Sequence, residues 1–314
     1  MRSAVRKEHS AGWAGGVASA IAFGLTPVIA VFGYQAGIAP SALVALRGLC
    51  GGALLLLCAA AIGQFTKLPL KPCLALAAIS GPLFGTQLLF YFTAVEQTGV
   101  QTSIVLVHIY PLFVIGLVRL TTRRAIGRPV LGLAVALSLG VALVSGGANG
   151  GTTSMTGIAL ALASAIGYAI YIIVSARWAS QVPAVLAGGL VTAGSAATAG
   201  AIAFLGGSTL AVSPQGWAIA AAQGLMIVPI GIVGALLAMK HLGPVPASFL
   251  GLLEPVVGVL TATVVLHENL EPTQWIGIVV VILASTALPY CQSIVSNDGR
   301  ILKASVETPQ PPSI

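Results

Sequence analysis

Stretches of roughly twenty apolar residues recur from one end of this chain to the other, and a soluble fold has no means of burying them all. Breaking the sequence at Gly, Pro and charged residues gives ten runs, at about 11–34, 40–63, 72–95, 99–118, 129–146, 155–176, 183–206, 214–238, 244–266 and 273–291. Each holds about 18 to 25 residues, which at about 1.5 Å per residue is enough to cross a hydrocarbon layer of roughly 30 Å as a helix. Hydrophobic residues make up 57% of the chain and charged ones 7%, with Lys, Arg and Glu gathered between the runs. A soluble surface would need far more charge. The runs are continuously apolar and lack the alternation of a membrane barrel. The expected fold is an all-α polytopic membrane protein with ten transmembrane helices, neighbours antiparallel because the connections are short.

The charges orient these helices. With the amino terminus inside, Arg2, Arg6, Lys7, Lys67, Lys71, Arg119, Arg123, Arg124, Arg128, Arg177, Lys240, Arg300 and Lys303 all fall on one side. They are thirteen of the fourteen basic residues, and the opposite loops hold Glu96, Glu268 and Glu271 without Lys or Arg. Positively charged loops stay cytoplasmic, so both termini are expected there. The first run is too long and too Gly-rich for a cleaved secretory signal, and reads as an uncleaved helix after a cytoplasmic segment at 1–10. Residues 293–314 are polar and Pro-containing and read as a disordered cytoplasmic tail. Topology already accounts for the net charge of +7, which therefore gives no support for nucleic-acid binding.

The two halves repeat at an offset of 144 to 145 residues: "ASAIAFG" at Ala18 matches "ASAIGYA" at Ala163, and Ala94, Gly99 and Pro111 fall on Ala238, Gly243 and Pro255. Each half, 11–146 and 147–292, carries five runs, so the second copy is expected upside down. In the same register the basic "RLTTRRAIGR" meets the acidic "LHENLEPTQ", as loops facing opposite sides should. Inverted repeats of this kind place a substrate site near the midplane between the copies.

Glu254, in "GLLEPVVGV", lies about ten residues into the ninth run, roughly 15 Å deep at about 1.5 Å per residue. Ala247, Gly251, Glu254, Gly258 and Thr261 form a stripe of small or polar residues at helical spacing, so the carboxylate is expected to face inward. Pro255 removes the backbone donor to Gly251 and loosens the helix beside it. A bare carboxylate is costly at that depth, which suits Glu254 to alternate between a proton and a substrate amine. The competing reading is a protonated glutamate that braces a kink.

Arg47 is the one basic residue inside a run. It could snorkel outward, pair with a substrate carboxylate, or pair with Glu254. Tyr110 is the symmetry mate of Glu254 and is the residue expected in the cavity, with Ser103 on its face; His108 aligns instead with Leu252, on another side of the helix. Gln87 and Tyr91 form a polar face at i and i+4, and Ser164, Tyr168 and Tyr171 approximate another. Such groups can line a small-ligand site or serve as helix glue. Cys50, Cys58, Cys73 and Cys291 lack metal or redox spacing and read as small apolar filler. No cofactor is implied: the chain has no intramembrane Asp, no Gly-x-Ser-x-Gly, no His-Glu-x-x-His and no Walker loop, so nucleophilic, zinc-dependent and ATP-driven chemistry find no residues to carry them.

"ALRGLCGGALLLL" in the second run, "LLEPVVGVLTATVVLHENLEPTQWIGIVVVILA" across the ninth and tenth, and the five-plus-five organisation resemble the EamA-type branch of the drug/metabolite transporter superfamily. The resemblance implies a ten-helix carrier of a bacterial inner membrane that exports amino acids, other small metabolites or drug-like solutes. Arg47 matches an Arg common in the family's second helix, and Glu254 its common Glu-Pro; "RLTTRRAIGR" lacks the Gly-Glu-Arg type of turn often found after the fourth. The expected function is secondary transport by alternating access through a bilayer, with protons a candidate coupling ion. An uncoupled facilitator, a scaffold and a membrane enzyme are the alternatives. Oligomeric state is not readable.

Overall fold

The computed structural model of the chain describes residues 2–66, 68–98, 100–122, 127–144, 154–207, 210, 212–266, 271–284 and 287. Expectations that rest on Lys67, Arg123, Arg124, Glu268, Cys291 and the tail at 293–314 lie outside them. Among the described residues the elements are all helical: α1 (Arg2–Gly24), α2 (Thr26–Gln35), α3 (Pro40–Ala61), α4 (Leu70–Ala75), α5 (Gly81–Thr98), α6 (Val100–Val107), α7 (Tyr110–Thr122) and α8 (Arg128–Val144) in the first half. The second half holds α9 (Met155–Ala179), α10 (Ala184–Leu205), α11 (Pro214–Ala222), α12 (Val228–Leu242), α13 (Pro244–Gly251), α14 (Glu254–Leu266) and α15 (Pro272–Ala284).

Seven helical stretches are long and apolar enough to cross a membrane: Pro40–Ala61, Leu70–Ala94, Ser103–Thr121, Met155–Ala179, Ala184–Leu205, Pro214–Leu242 and Pro244–Val265. The chain is a multi-pass membrane protein. Helices α8 and α15 are apolar but shorter. The first run is split, because Leu25 separates α1 from α2 and Pro27 enters in the first turn of the second piece, where its missing donor does least harm.

Several of these crossings are not plain α-helix. The third and eighth runs each contain a five-residue π-turn, Leu76–Ser80 and Gln223–Ile227. Each closes by an i+5 bond, Gly81 N–H to the Leu76 carbonyl and Val228 N–H to the Gln223 carbonyl. The next residue in each is a proline, Pro82 or Pro229, which has no N–H to continue the ladder. The fourth and ninth runs break outright, at His108–Ile109 and at Leu252–Leu253. The breaks are equivalent: Val107 to Gly251, Tyr110 to Glu254 and Pro111 to Pro255 are each 144 positions apart.

The broadest helix contacts all run between the halves, α3 along α10, α1 along α12 and α5 along α9. Lipid gives two apolar helices no hydrophobic reason to associate, so close backbone approach over small residues must supply the attraction. Gly51 meets Gly224, and a Cβ on Gly51 would stand 2.6 Å from the Gly224 carbonyl. Gly81 meets Gly194, and a Cβ on Gly81 would stand 2.7 Å from the Gly194 Cα. The two contacts are one arrangement used twice, since 51 to 194 and 81 to 224 are both steps of 143.

Gly81→Ala and Gly51→Ala are therefore expected to destabilise the fold by about 1–3 kcal/mol each, the usual cost of overpacking. Gly132→Ala, where an added Cβ meets nothing within 4 Å, should be neutral or slightly stabilising because alanine is the better helix former. Apparent melting temperatures of the three variants in detergent test this order; equal values would refute it.

Candidate functional site

Glu254 and Tyr110 each open the second half of a broken helix, and Pro255 or Pro111 follows at the next position. A helix start can tolerate proline because its first N–H groups have no partner within the helix. The breaks thus put the two symmetry-related side chains at helix N-termini inside the bundle. They also interrupt the continuous stripe expected along the ninth run: Ala247 and Gly251 lie on α13, whereas Glu254, Gly258 and Thr261 lie on α14.

The two breaks interlock. Tyr110 is buried, and its hydroxyl donates to the Ser248 carbonyl of α13 at 2.8 Å. The phenol occupies the space a side chain at 251 would need: a Cβ there would collide with Tyr110 Oη, and would stand 3.7 Å from Glu254 Oε1. Gly251 is a glycine for that reason. Gly258 lies close to the last turn of α1, 3.2 Å from a prospective Cβ to the Gly24 carbonyl. Thr261 satisfies its own hydroxyl on the Val257 carbonyl at 2.7 Å.

Around the half-buried Glu254 stand phenols. Tyr91, Tyr110 and Tyr168 are all near enough to feel its charge. Tyr168 packs edge-on to Tyr110 at 4.6 Å between ring centroids and stacks on Tyr171 at 5.7 Å, with Phe84 4.9 Å from Tyr171. This aromatic ladder joins α7, α9 and α5. A carboxylate beside such a wall has hydroxyl donors to work with.

Arg47 is enclosed by the bundle. Only 4% exposed, it lies within α3 and donates from Nη1 to Gln223 Oε1 at 3.1 Å. Its guanidinium stands 6.0 Å from the Phe92 ring, and Tyr34 acts on it electrostatically. Tyr34 also acts electrostatically on Tyr91, as Glu254 does. Gln223, Tyr34 and Phe92 were not among the residues singled out above. An amide ten residues into an apolar run was the available signal for Gln223.

The remaining candidates divide. Gln87 is buried and accepts from Ser164 Oγ through its carbonyl at 2.8 Å and its Oε1 at 3.2 Å, which ties α5 to α9. His108 sits in the first break with its Nδ1 2.9 Å from the Ile104 carbonyl and its ring 6.1 Å from that of Tyr110. Tyr91, Tyr110 and Tyr168 are the candidates on which Glu254 acts electrostatically. Among the described residues no group of three or more His, Cys, Asp or Glu could hold a metal; Cys50, Cys58 and Cys73 are free thiols.

Because Tyr110 Oη fills the place of a Gly251 side chain, the two positions should be coupled. Gly251→Ala alone should be strongly destabilising, and Tyr110→Phe should cost about 1–3 kcal/mol for the lost hydrogen bond and the orphaned carbonyl. In the double variant the phenyl leaves room for the methyl, so the combined loss should fall short of the sum by about 1 kcal/mol or more. Thermal denaturation of the four proteins measures the cycle, and strict additivity would contradict the geometry.

Comparison with known proteins places these observations. A search of curated proteins finds no match. A solved crystal structure, described only as that of a protein, is similar over 88% of this chain and 96% of its own, with a TM-score of 0.71 and 20% sequence identity; at that identity the likeness is one of fold. The sequence profile of the EamA-like transporter family matches twice, over 11–146 and over 155–288. Two such repeats on an all-helical, multi-pass frame make this chain a member of the EamA-like transporter family, a family of membrane transporters rather than enzymes.

Proposed function

We propose that the chain is a secondary transporter that moves a small solute by alternating access through a central site between Glu254 and Arg47. The observation that carries this reading is the matched pair of helix breaks. A membrane helix interrupted at mid-length tolerates its irregular backbone where protein or a water-filled cavity, not lipid, surrounds it. Glu254 and Tyr110 begin the two half-helices beyond the breaks. In this reading the ten apolar runs all cross, the two halves are inverted copies, and both termini are cytoplasmic in an inner membrane. The distribution of Lys and Arg supports that orientation.

Glu254 is the switch. With a proton or a substrate amine on it, the carboxylate can be enclosed; without either it keeps water at the site, because an isolated charge in the membrane interior is costly. Loading therefore favours closure, and closure of one repeat against the other moves the site from one face to the opposite face. Tyr91, Tyr110 and Tyr168 supply the polar-tipped wall, and Arg47 receives a carboxylate. Amino acids and related small metabolites or drug-like amines fit this pairing, and export driven by inward proton movement is the direction proposed. The supporting contacts need no cofactor and no nucleic acid.

Purified protein in liposomes should exchange radiolabelled amino acids or cationic drugs, and an acidic opposite compartment should accelerate substrate movement toward it. Glu254→Gln should retain the fold and lose the response to the pH gradient, with net flux falling at least tenfold. A variant that folds and transports normally at every pH would remove Glu254 from the mechanism. Single cysteines placed near either terminus of a Cys-free background should react with an impermeant maleimide only from the cytoplasmic side; labelling from outside would overturn the orientation.

A further inference from the structure

We propose that Gln223 completes the anion-binding half of the site with Arg47, and that the transported solute therefore carries a carboxylate or an equivalent small oxyanion. The proposal rests on the reading of the central site given above and assigns a residue and a substrate class to it.

The first observation is a cation lacking a counter-ion. A guanidinium has five N–H donors, and at a site this buried a positive charge without an anion is costly. The groups that meet Arg47 among the described residues are Gln223, Tyr34 and Phe92, all uncharged.

The second observation is a donor lacking an acceptor. Gln223 is wholly buried, its Oε1 is taken by Arg47, and its Nε2 has no hydrogen-bond partner among the described residues. A buried amide nitrogen left unpaired is destabilising, and natural structures keep few of them. Beside an unneutralised arginine, an oxyanion answers both deficits: one oxygen for the guanidinium, the other for the amide N–H. The guanidinium itself presents a planar fork of donors, as carboxylate recognition favours.

The third observation places Gln223 where an arriving anion would be felt by the backbone. It is the first residue of the π-turn in the eighth run. The adjoining Gly224 lies against the Arg47 carbonyl and Gly51. Gln223 and Gly224 therefore hold Arg47 by both its side chain and its main chain. The equivalent joint in the other half, 143 positions away, has Leu190 in place of Arg47 and Ser80 in place of Gln223. The anion site is thus built at one of two related joints between the repeats, and a ligand there bears on one joint and not on the other.

The test uses the full-length protein in detergent and a matched series of probes: L-leucine, isocaproate, which keeps the carboxylate and lacks the amine, and isoamylamine, which keeps the amine and lacks the carboxylate. Binding is read by thermal shift and calorimetry, without any need for transport. Wild type should bind leucine and isocaproate; Gln223→Met, close in shape, and Gln223→Glu, which gives Arg47 an internal counter-ion, should weaken both at least tenfold and leave isoamylamine within about twofold. Equal loss for all three probes would mark Gln223 as structural and overturn the assignment, as would unchanged acid binding in Gln223→Met or failure of wild type to bind either acid. If acid binding behaves as stated but liposomes move no solute, the transporter reading falls and the anion site stands.

Discussion

Lipid offers no hydrogen bonds, and every unpaired backbone group at membrane depth must find its partner inside the protein. The rest of this structure depends on how that demand is met at four places. Two π-turns shift the ladder by one residue where a proline follows, and two full breaks open where a proline cannot donate at all. Each irregularity has to stay within the bundle, which fixes which faces of the third, fourth, eighth and ninth runs look inward. The side chains carried there, Gln87 and Tyr91, Tyr110, Gln223, and Glu254, are polar because that is where polarity can be accommodated.

The same demand explains why the two halves grip each other more than themselves. The main helix pairings run α3 to α10, α1 to α12 and α5 to α9, and the backbones approach over glycine where side chains would hold them apart. Tyr110 extends this across the breaks: its hydroxyl leaves its own helix and serves the carbonyl of Ser248 on the other broken helix. One repeat supplies the donor that the other repeat's backbone accepts. The two breaks are in this way joined by a hydrogen bond and by the missing side chain of Gly251.

Much of the architecture was legible in the sequence, since continuous apolar runs have one physical outcome in a chain of this composition. All ten runs are largely helical over their described parts, with interruptions at Leu25, His108–Ile109 and Leu252–Leu253. The repeat offset was visible in Pro111 and Pro255, and it leads straight to the paired breaks. What could not be read was how far those prolines would act. A single proline is compatible with a kink or with a full interruption, and the choice lies in whether a neighbour such as Tyr110 supports the open form. The site was legible as separate oddities: a glutamate, an arginine and several tyrosines. Sequence spacing gave no way to see that Gln87 is occupied by Ser164, nor that Arg47 faces an amide from 176 positions away. Long-range pairing of that kind is a property of the packed bundle and leaves no periodic trace.

The paired glycines carry a further consequence, for how such a protein can change over generations. Each joint is made of one glycine from each half, Gly51 with Gly224 and Gly81 with Gly194. A side chain gained on either member is blocked by the other copy's main chain, and no substitution in that partner can make it smaller than it already is. These four positions therefore admit no compensating pair of replacements. The two halves are free to differ elsewhere, as Arg47 and Leu190 illustrate, while their seam is held to a common form.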